Sequence, residues 1–97
     1  MTQRVNEICA RLLPVFAGYG VSRAVLFGSV AAGTDTDKSD LDLLVDSGLR
    51  GLRFVGLMEA IRQAAGMPVD VFDVAHIESG SPIDQEIKAT GVTIYEK

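Results

Sequence analysis

Apolar positions recur along this chain with two different periods, and the places where the period changes mark its elements. Val5, Ile8, Cys9, Leu12 and Phe16 stand three or four residues apart, with Arg4, Glu7 and Arg11 on the opposite side. That spacing predicts an amphipathic helix, disturbed near Pro14 and stopped by Gly18 and Gly20. Ala24 to Phe27 is a continuous apolar run, too short for a helix and long enough for a buried strand. Gly28 to Ser39 reads as a turn and loop that opens with one helical turn at Val30-Ala31-Ala32. Leu41 to Val45 reads as a second strand, and Ser47 to Gly51 as a connection. Phe54, Leu57, Met58, Ile61 and Ala65 form a second helical stripe, ended by Gly66 and Pro68. Val69 to Val74 is a third strand. A third helix starts after Pro82, with Ile83 and Ile87 inward, and stops at Gly91, before a last strand from Val92 to Tyr95. The order α-β-loop-β-α-β-α-β predicts an α/β domain with a small sheet.

Composition narrows the function classes. Ninety-seven residues, 47% of them hydrophobic, suit one domain spanning residues 1–97 with an ordinary core. A domain this small is marginal alone, so a partner or a homodimer would help it. The formal net charge of -4 argues against a broad nucleic-acid footprint, which needs a basic face. No stretch approaches the ~18 apolar residues of a membrane span and no signal peptide precedes the first helix, so a cytoplasmic protein is expected. The lone cysteine, Cys9, excludes an internal disulfide and reads as a small buried hydrophobe.

The acids are placed unevenly. Five aspartates fall between Asp35 and Asp46. Side chains alternate along a strand, so Asp40 and Asp42 share a face while Leu41, Leu43 and Val45 point into a core. Two carboxylates aimed at one spot repel each other unless a cation lies between them. A hard divalent ion such as Mg²⁺ takes such oxygens and keeps water and substrate phosphate as its other ligands. The Gly28-Ser29 turn follows an apolar strand and offers backbone N–H groups to phosphates. Asp70, flanked by valines, is an expensive place for an acid unless something compensates it. If its strand pairs beside the Asp40–Asp42 strand, three carboxylates can converge, as phosphoryl and nucleotidyl transfer with two metal ions requires.

These residues resemble a known family. Gly28-Ser29, ten residues, then Asp40-x-Asp42, with Asp70 in a later strand, looks like the nucleotidyltransferase superfamily related to DNA polymerase beta. Leu26 to Gly33, Ser39 to Val45, and the C-terminal Glu86-Ile87-x3-Gly91-x3-Tyr95-Glu96 are similar to its minimal members, the MNT proteins. The resemblance implies a polymerase-beta-like fold, a small mixed β-sheet flanked by helices. It implies that Gly28 and Ser29 cradle nucleotide phosphates and that Asp40, Asp42 and Asp70 hold Mg²⁺. It also implies that Asp70 helps deprotonate the attacking hydroxyl. Members of this kind paired with HEPN toxins act as antitoxins, and some transfer AMP from ATP to a tyrosine of the partner. Such a reaction needs no nucleic acid and no membrane, and the partner brings the acceptor. The chain departs from the family where an arginine is common, at Ala32, and where a second basic residue is common, at Val30. Only Lys38 is close in sequence to stand in. An alternative function follows from that departure: an antitoxin-like subunit with a silent site that neutralises its partner by occlusion.

Other polar residues read as structural. Asp73 fits a strand end or turn. Asp35, Asp37 and Asp46 fit solvated loop charges, and His76 a surface position. Arg50, Arg53 and Arg62 fit the solvated face of the second helix, and Tyr95 a terminal strand with an exposed ring.

Overall fold

The computed structural model describes residues 2–34 and 40–97. Helix α1 (Gln3–Gly18) leads into strand β1 (Arg23–Phe27) and a single helical turn, α2 (Ser29–Ala32). Strand β2 (Leu41–Asp46), helix α3 (Leu52–Ala65) and strand β3 (Val69–Asp73) follow. A 3-10 turn (Val74–His76), helix α4 (Pro82–Thr90) and strand β4 (Val92–Glu96) complete the described fold. The sheet order is β3-β2-β1-β4. β1 pairs antiparallel with β2 and β4, while β2 and β3 run parallel. The sheet is therefore mixed, and α3 is the crossover that a parallel pair requires.

Strand alternation divides the apolar residues between two layers. Leu41, Leu43 and Val45 of β2 and Ala24 and Leu26 of β1 face α1 and α3. There they join Val5, Ile8, Leu12, Phe16, Leu57, Ile61 and Ala65 in the main core. Val25, Phe27 and Leu44 face the other way, under Phe72, Val74, Ile77, Ile83 and Ile87. This second layer is thin, and α4 with the segment before it is its cover.

Local chemistry ends the elements. Thr2 caps α1, its hydroxyl accepting from the Val5 N–H at 3.3 Å. Contrary to the expected disturbance, α1 runs through Pro14, because the buried pair Leu12 and Phe16 holds both flanking turns on the core. Gly66 closes α3 in the left-handed region at φ 70°. The α3 carbonyls of Ala64 and Ala65 accept from the Arg11 guanidinium at 3.0 and 3.1 Å, tying α1 to α3. Ser81 caps α4 and Pro82 occupies its first turn.

Some side chains sit differently from their sequence reading. Met58 belongs to the α3 stripe but is exposed, because α1 covers only Leu57, Ile61 and Ala65 on that side. Cys9 is half-buried at the edge of the main core, and burial pushes its thiol up from the ordinary value. Tyr95 is half-buried rather than exposed, its ring 5.4 Å from that of Phe16. No described helix is long and apolar enough to cross a membrane.

Leu43 is wholly buried at the centre of the sheet. Leu43→Ala is expected to destabilise the chain by about 2–5 kcal/mol, seen as a lower urea midpoint with an unchanged slope.

Candidate functional site

The site is assembled where β1 ends and β2 and β3 begin. Asp42 is the second residue of β2, on the face opposite the main core because Leu41 and Leu43 are committed to that core. The register of the antiparallel pair sets Phe27 opposite Asp42, so the chain leaving β1 turns beside this carboxylate. The parallel register of β2 and β3 sets Asp70 directly beside Asp42. Asp40 lies two residues before Asp42, exposed at the mouth of the cleft. Asp70 is exposed as well. It is the second residue of an edge strand, and its valine neighbours do not bury it, contrary to the expectation of a costly buried acid.

Gly28 forms the floor. Its backbone, at φ 82° and ψ -159°, is in a region that only glycine enters without strain. A Cβ built there would stand 2.5 Å from Asp42 Oδ2 and 3.2 Å from Glu86 Oε1. A side chain there would strain the backbone and push the Asp42 carboxylate aside. Ser29 then begins α2, whose first N–H groups have no acceptor inside the helix. The Gly28 N–H is already engaged: it donates to Thr90 Oγ1 at 2.7 Å, and Thr90 in turn donates to the Glu86 carbonyl at 2.8 Å. The last turn of α4 is thus fastened to the Gly-Ser turn.

The electrostatics follow from this crowding. Burial holds the Asp42 carboxyl above the usual range, and the neighbouring carboxylates of Asp70, Glu86 and Asp40 add to the effect. Among the described residues no group of three His, Cys, Asp or Glu side chains stands close enough to hold a metal ion as it is. The acids influence one another electrostatically, and like charges without a counter-charge repel. The donor set is oxygen only and carries several negative charges, a chemistry that suits Mg²⁺ rather than a soft metal. Asp40, Asp42 and Asp70 are the residues that would hold the ion. Val30 is buried and Ala32 exposed, and neither supplies a cation to a phosphate chain. Lys38, Asp35 and Asp37 lie outside the described residues.

Glu86, to which the sequence reading gives no role, also lies beside Gly28 and Asp42. The available signal was its position next to the inward-facing Ile87 on a short helix, which sets it at the rim of the buried face. Other acids separate clearly from the site. Asp73 is buried at the far end of β3, where it accepts from Ser47 Oγ at 2.5 Å and from the Ala75 N–H at 3.0 Å. It ties the ends of β2 and β3 together. A cavity of about 520 Å³ at that end, lined by Arg50, Phe54 and His76 among others, is remote from Asp42 and Asp70. Arg62 pairs with Glu59 along α3, and His76 is exposed.

The chain is similar to known proteins in sequence and in fold. Residues 11–97 match the family described as polymerase beta, nucleotidyltransferase. The chain is 36% identical over 69 residues to a candidate protein adenylyltransferase of Methanocaldococcus jannaschii, a match covering 69% of this chain and 74% of the relative. A solved structure described as a minimal nucleotidyltransferase superposes with a TM-score of 0.70 at 28% identity, covering 91% of this chain and 89% of the other. The fold is also shared, at 19% identity and a TM-score of 0.76, with a chain of a toxin–antitoxin complex solved with AMP-PNP. That match covers 92% of this chain and 73% of the other. A third structure, of a tri-AMPylated HEPN toxin with its MNT antitoxin from Shewanella oneidensis, matches with a TM-score of 0.70 at 18% identity. It covers 99% of this chain and 74% of the other.

Asp42 carries a penalty in the metal-free fold. A carboxyl raised in the folded state is destabilising once ionised, and the penalty fades as pH falls through the raised pKa towards the ordinary value. Asp42→Asn is therefore expected to raise the melting temperature by a few degrees at pH 7 in EDTA, with a smaller gain at pH 4. The same variant is expected to lose the stabilisation that Mg²⁺ gives the natural chain. Gly28→Ala is expected to do the reverse. It lowers the melting temperature through about 1–3 kcal/mol of backbone strain and displaces Asp42, so added Mg²⁺ does not restore stability.

Proposed function

This chain belongs to the polymerase beta nucleotidyltransferase family, and we propose that it transfers AMP from ATP to a hydroxyl of a partner HEPN-type toxin, with tyrosine as the acceptor, and so acts as an antitoxin. The observation that carries the reading is the register of β2 and β3, which brings Asp70 beside Asp42 at the end where the Gly28-Ser29 turn meets the sheet. The structural likeness to toxin–antitoxin complexes, one of an AMPylated HEPN toxin with its MNT antitoxin and one with AMP-PNP, supports the choice of partner and nucleotide.

In this reading residues 1–97 act as a single minimal domain, in the cytoplasm, without nucleic acid or membrane. Asp40, Asp42 and Asp70 would hold Mg²⁺. When bound, the ion neutralises phosphate charge and lines up the α-phosphorus for displacement. Ser29 and the free N–H groups of the α2 turn receive the phosphate oxygens. Gly28 contributes close approach rather than a donor, since its N–H is held by Thr90. A tyrosine hydroxyl, with a pKa near ~10, needs a base, and the exposed carboxylate of Asp70 takes its proton. The phenolic oxygen then bonds to the α-phosphorus, the bond to the β-phosphate bridging oxygen breaks, and pyrophosphate leaves.

The deciding experiment incubates the chain, the protein encoded beside it, Mg²⁺ and α-labelled ATP. Label is expected on the partner, at a tyrosine, and is expected to vanish with the Asp40→Ala/Asp42→Ala double variant. A tight complex without label, with neutralisation that survives the double variant, would replace catalysis by occlusion, the outcome that the missing basic residues at Val30 and Ala32 favour.

A further inference from the structure

We propose that Thr90 is a positioning residue of the phosphate cradle: its hydroxyl holds the Gly28 amide and so sets the Gly28-Ser29 turn in the shape that receives the nucleotide. The inference rests on the nucleotidyltransferase reading of that turn. It goes further by giving a role to the last residue of α4, outside the sequence motif.

The sheet brings Thr90 to the turn. β1 and β4 are antiparallel, with Leu26 opposite Val92. Carried two residues further, that register sets Gly28 opposite Thr90. The strands do not pair there, because Thr90 is the last residue of α4 and Gly28 has left β1. The Thr90 side chain supplies the acceptor that a strand would have given: its Oγ1 accepts from the Gly28 N–H at 2.7 Å. The same hydroxyl donates to the Glu86 carbonyl at 2.8 Å. A hydroxyl carries one proton. With that proton committed to Glu86, Thr90 presents only acceptor capacity to the turn. It cannot donate to a phosphate, so it acts through Gly28.

Gly28 needs such a hold. Glycine has the widest backbone freedom of any residue, and φ 82° with ψ -159° is one of several conformations open to it. Two hydrogen bonds select this one. The Gly28 carbonyl accepts from the Ala32 N–H at 3.0 Å, and Thr90 holds the Gly28 N–H. The second bond fixes the plane of the Phe27–Gly28 peptide, and with it the direction in which the chain leaves β1 beside Asp42. The bond is not a by-product of a deeply buried helix, since no residue of α4 is buried. Among the described residues, the other side-chain hydrogen bonds of α4 stay within it or run to Gly80 and Ser81 just before it. Thr90 is thus the polar tie between α4 and the turn.

The test uses the full chain, an α,β-nonhydrolysable ATP analogue at saturating Mg²⁺, and the variants Thr90→Val and Thr90→Ser. Valine keeps the shape and removes the hydroxyl, whereas serine keeps the hydroxyl. Thr90→Val is expected to weaken analogue binding roughly tenfold and to speed hydrogen exchange at the Gly28 amide. Thr90→Ser is expected to restore both. Equal analogue affinity in the natural chain and Thr90→Val, whatever the change in melting temperature, would overturn the role of Thr90 and leave the nucleotide site standing. An equal loss in the valine and serine variants would assign the effect to helix packing and overturn the role as well. No analogue binding by the natural chain would overturn the nucleotidyltransferase reading, and the proposal with it. If the valine variant does not fold, the natural chain decides. Its Gly28 amide is expected to exchange slowly both without and with the analogue, and exchange as fast as that of an open turn would overturn the hold.

Discussion

The parallel pairing of β2 with β3 is the constraint on which this molecule depends. It places Asp70 beside Asp42, two like charges in a cleft where burial already disfavours ionisation of Asp42. An isolated sheet would gain by separating them. They stay together because the residues flanking Asp42 along β2 are committed elsewhere. Leu41 and Leu43 are buried in the main core, and a one-residue slip of β2 would expose that set to turn Asp42 inward. The hydrophobic pattern of one face thus enforces an electrostatic arrangement on the other.

The same arrangement explains why one helix and one glycine carry so much. Gly28 has no room for a side chain because the Asp42 carboxylate occupies the space. Its N–H is held by Thr90 at the end of α4, and α4 covers the thin second layer through Ile83 and Ile87. Fold stability on that face and the shape of the cleft are therefore one structure. At the far end of the sheet the opposite solution appears. Asp73 is buried, but Ser47 and the Ala75 N–H satisfy it, so it stabilises a strand junction with its oxygens already engaged.

Local pattern carried most of the elements and half of the site. Strand alternation placed Asp40 and Asp42 together, and the Gly28-Ser29 turn followed from an apolar run ending in glycine. The adjacency of Asp70 was legible only as a condition, because strand pairing is a long-range property with no local sign. Its exposure was misjudged for a related reason, since valine neighbours do not reveal that a strand lies at the sheet edge. Glu86 and Thr90 reach the site across more than fifty residues of chain, from a helix whose docking angle no periodicity encodes. Pro14 misled in the other direction: tertiary packing of Leu12 and Phe16 outweighed a local helix breaker.

The central claim is that the N-terminal ends of β2 and β3 form a divalent-cation site for a nucleotide. Paramagnetic broadening of backbone amide resonances by substoichiometric Mn²⁺, recorded with and without an α,β-nonhydrolysable ATP analogue, tests it most directly. The account predicts broadening centred on Gly28, Asp42 and Asp70, extending to Glu86 across the cleft, and sharpened rather than moved by the analogue. Broadening centred instead on Asp46 and Asp73 at the other end of the sheet, or scattered over the surface acids, would contradict it.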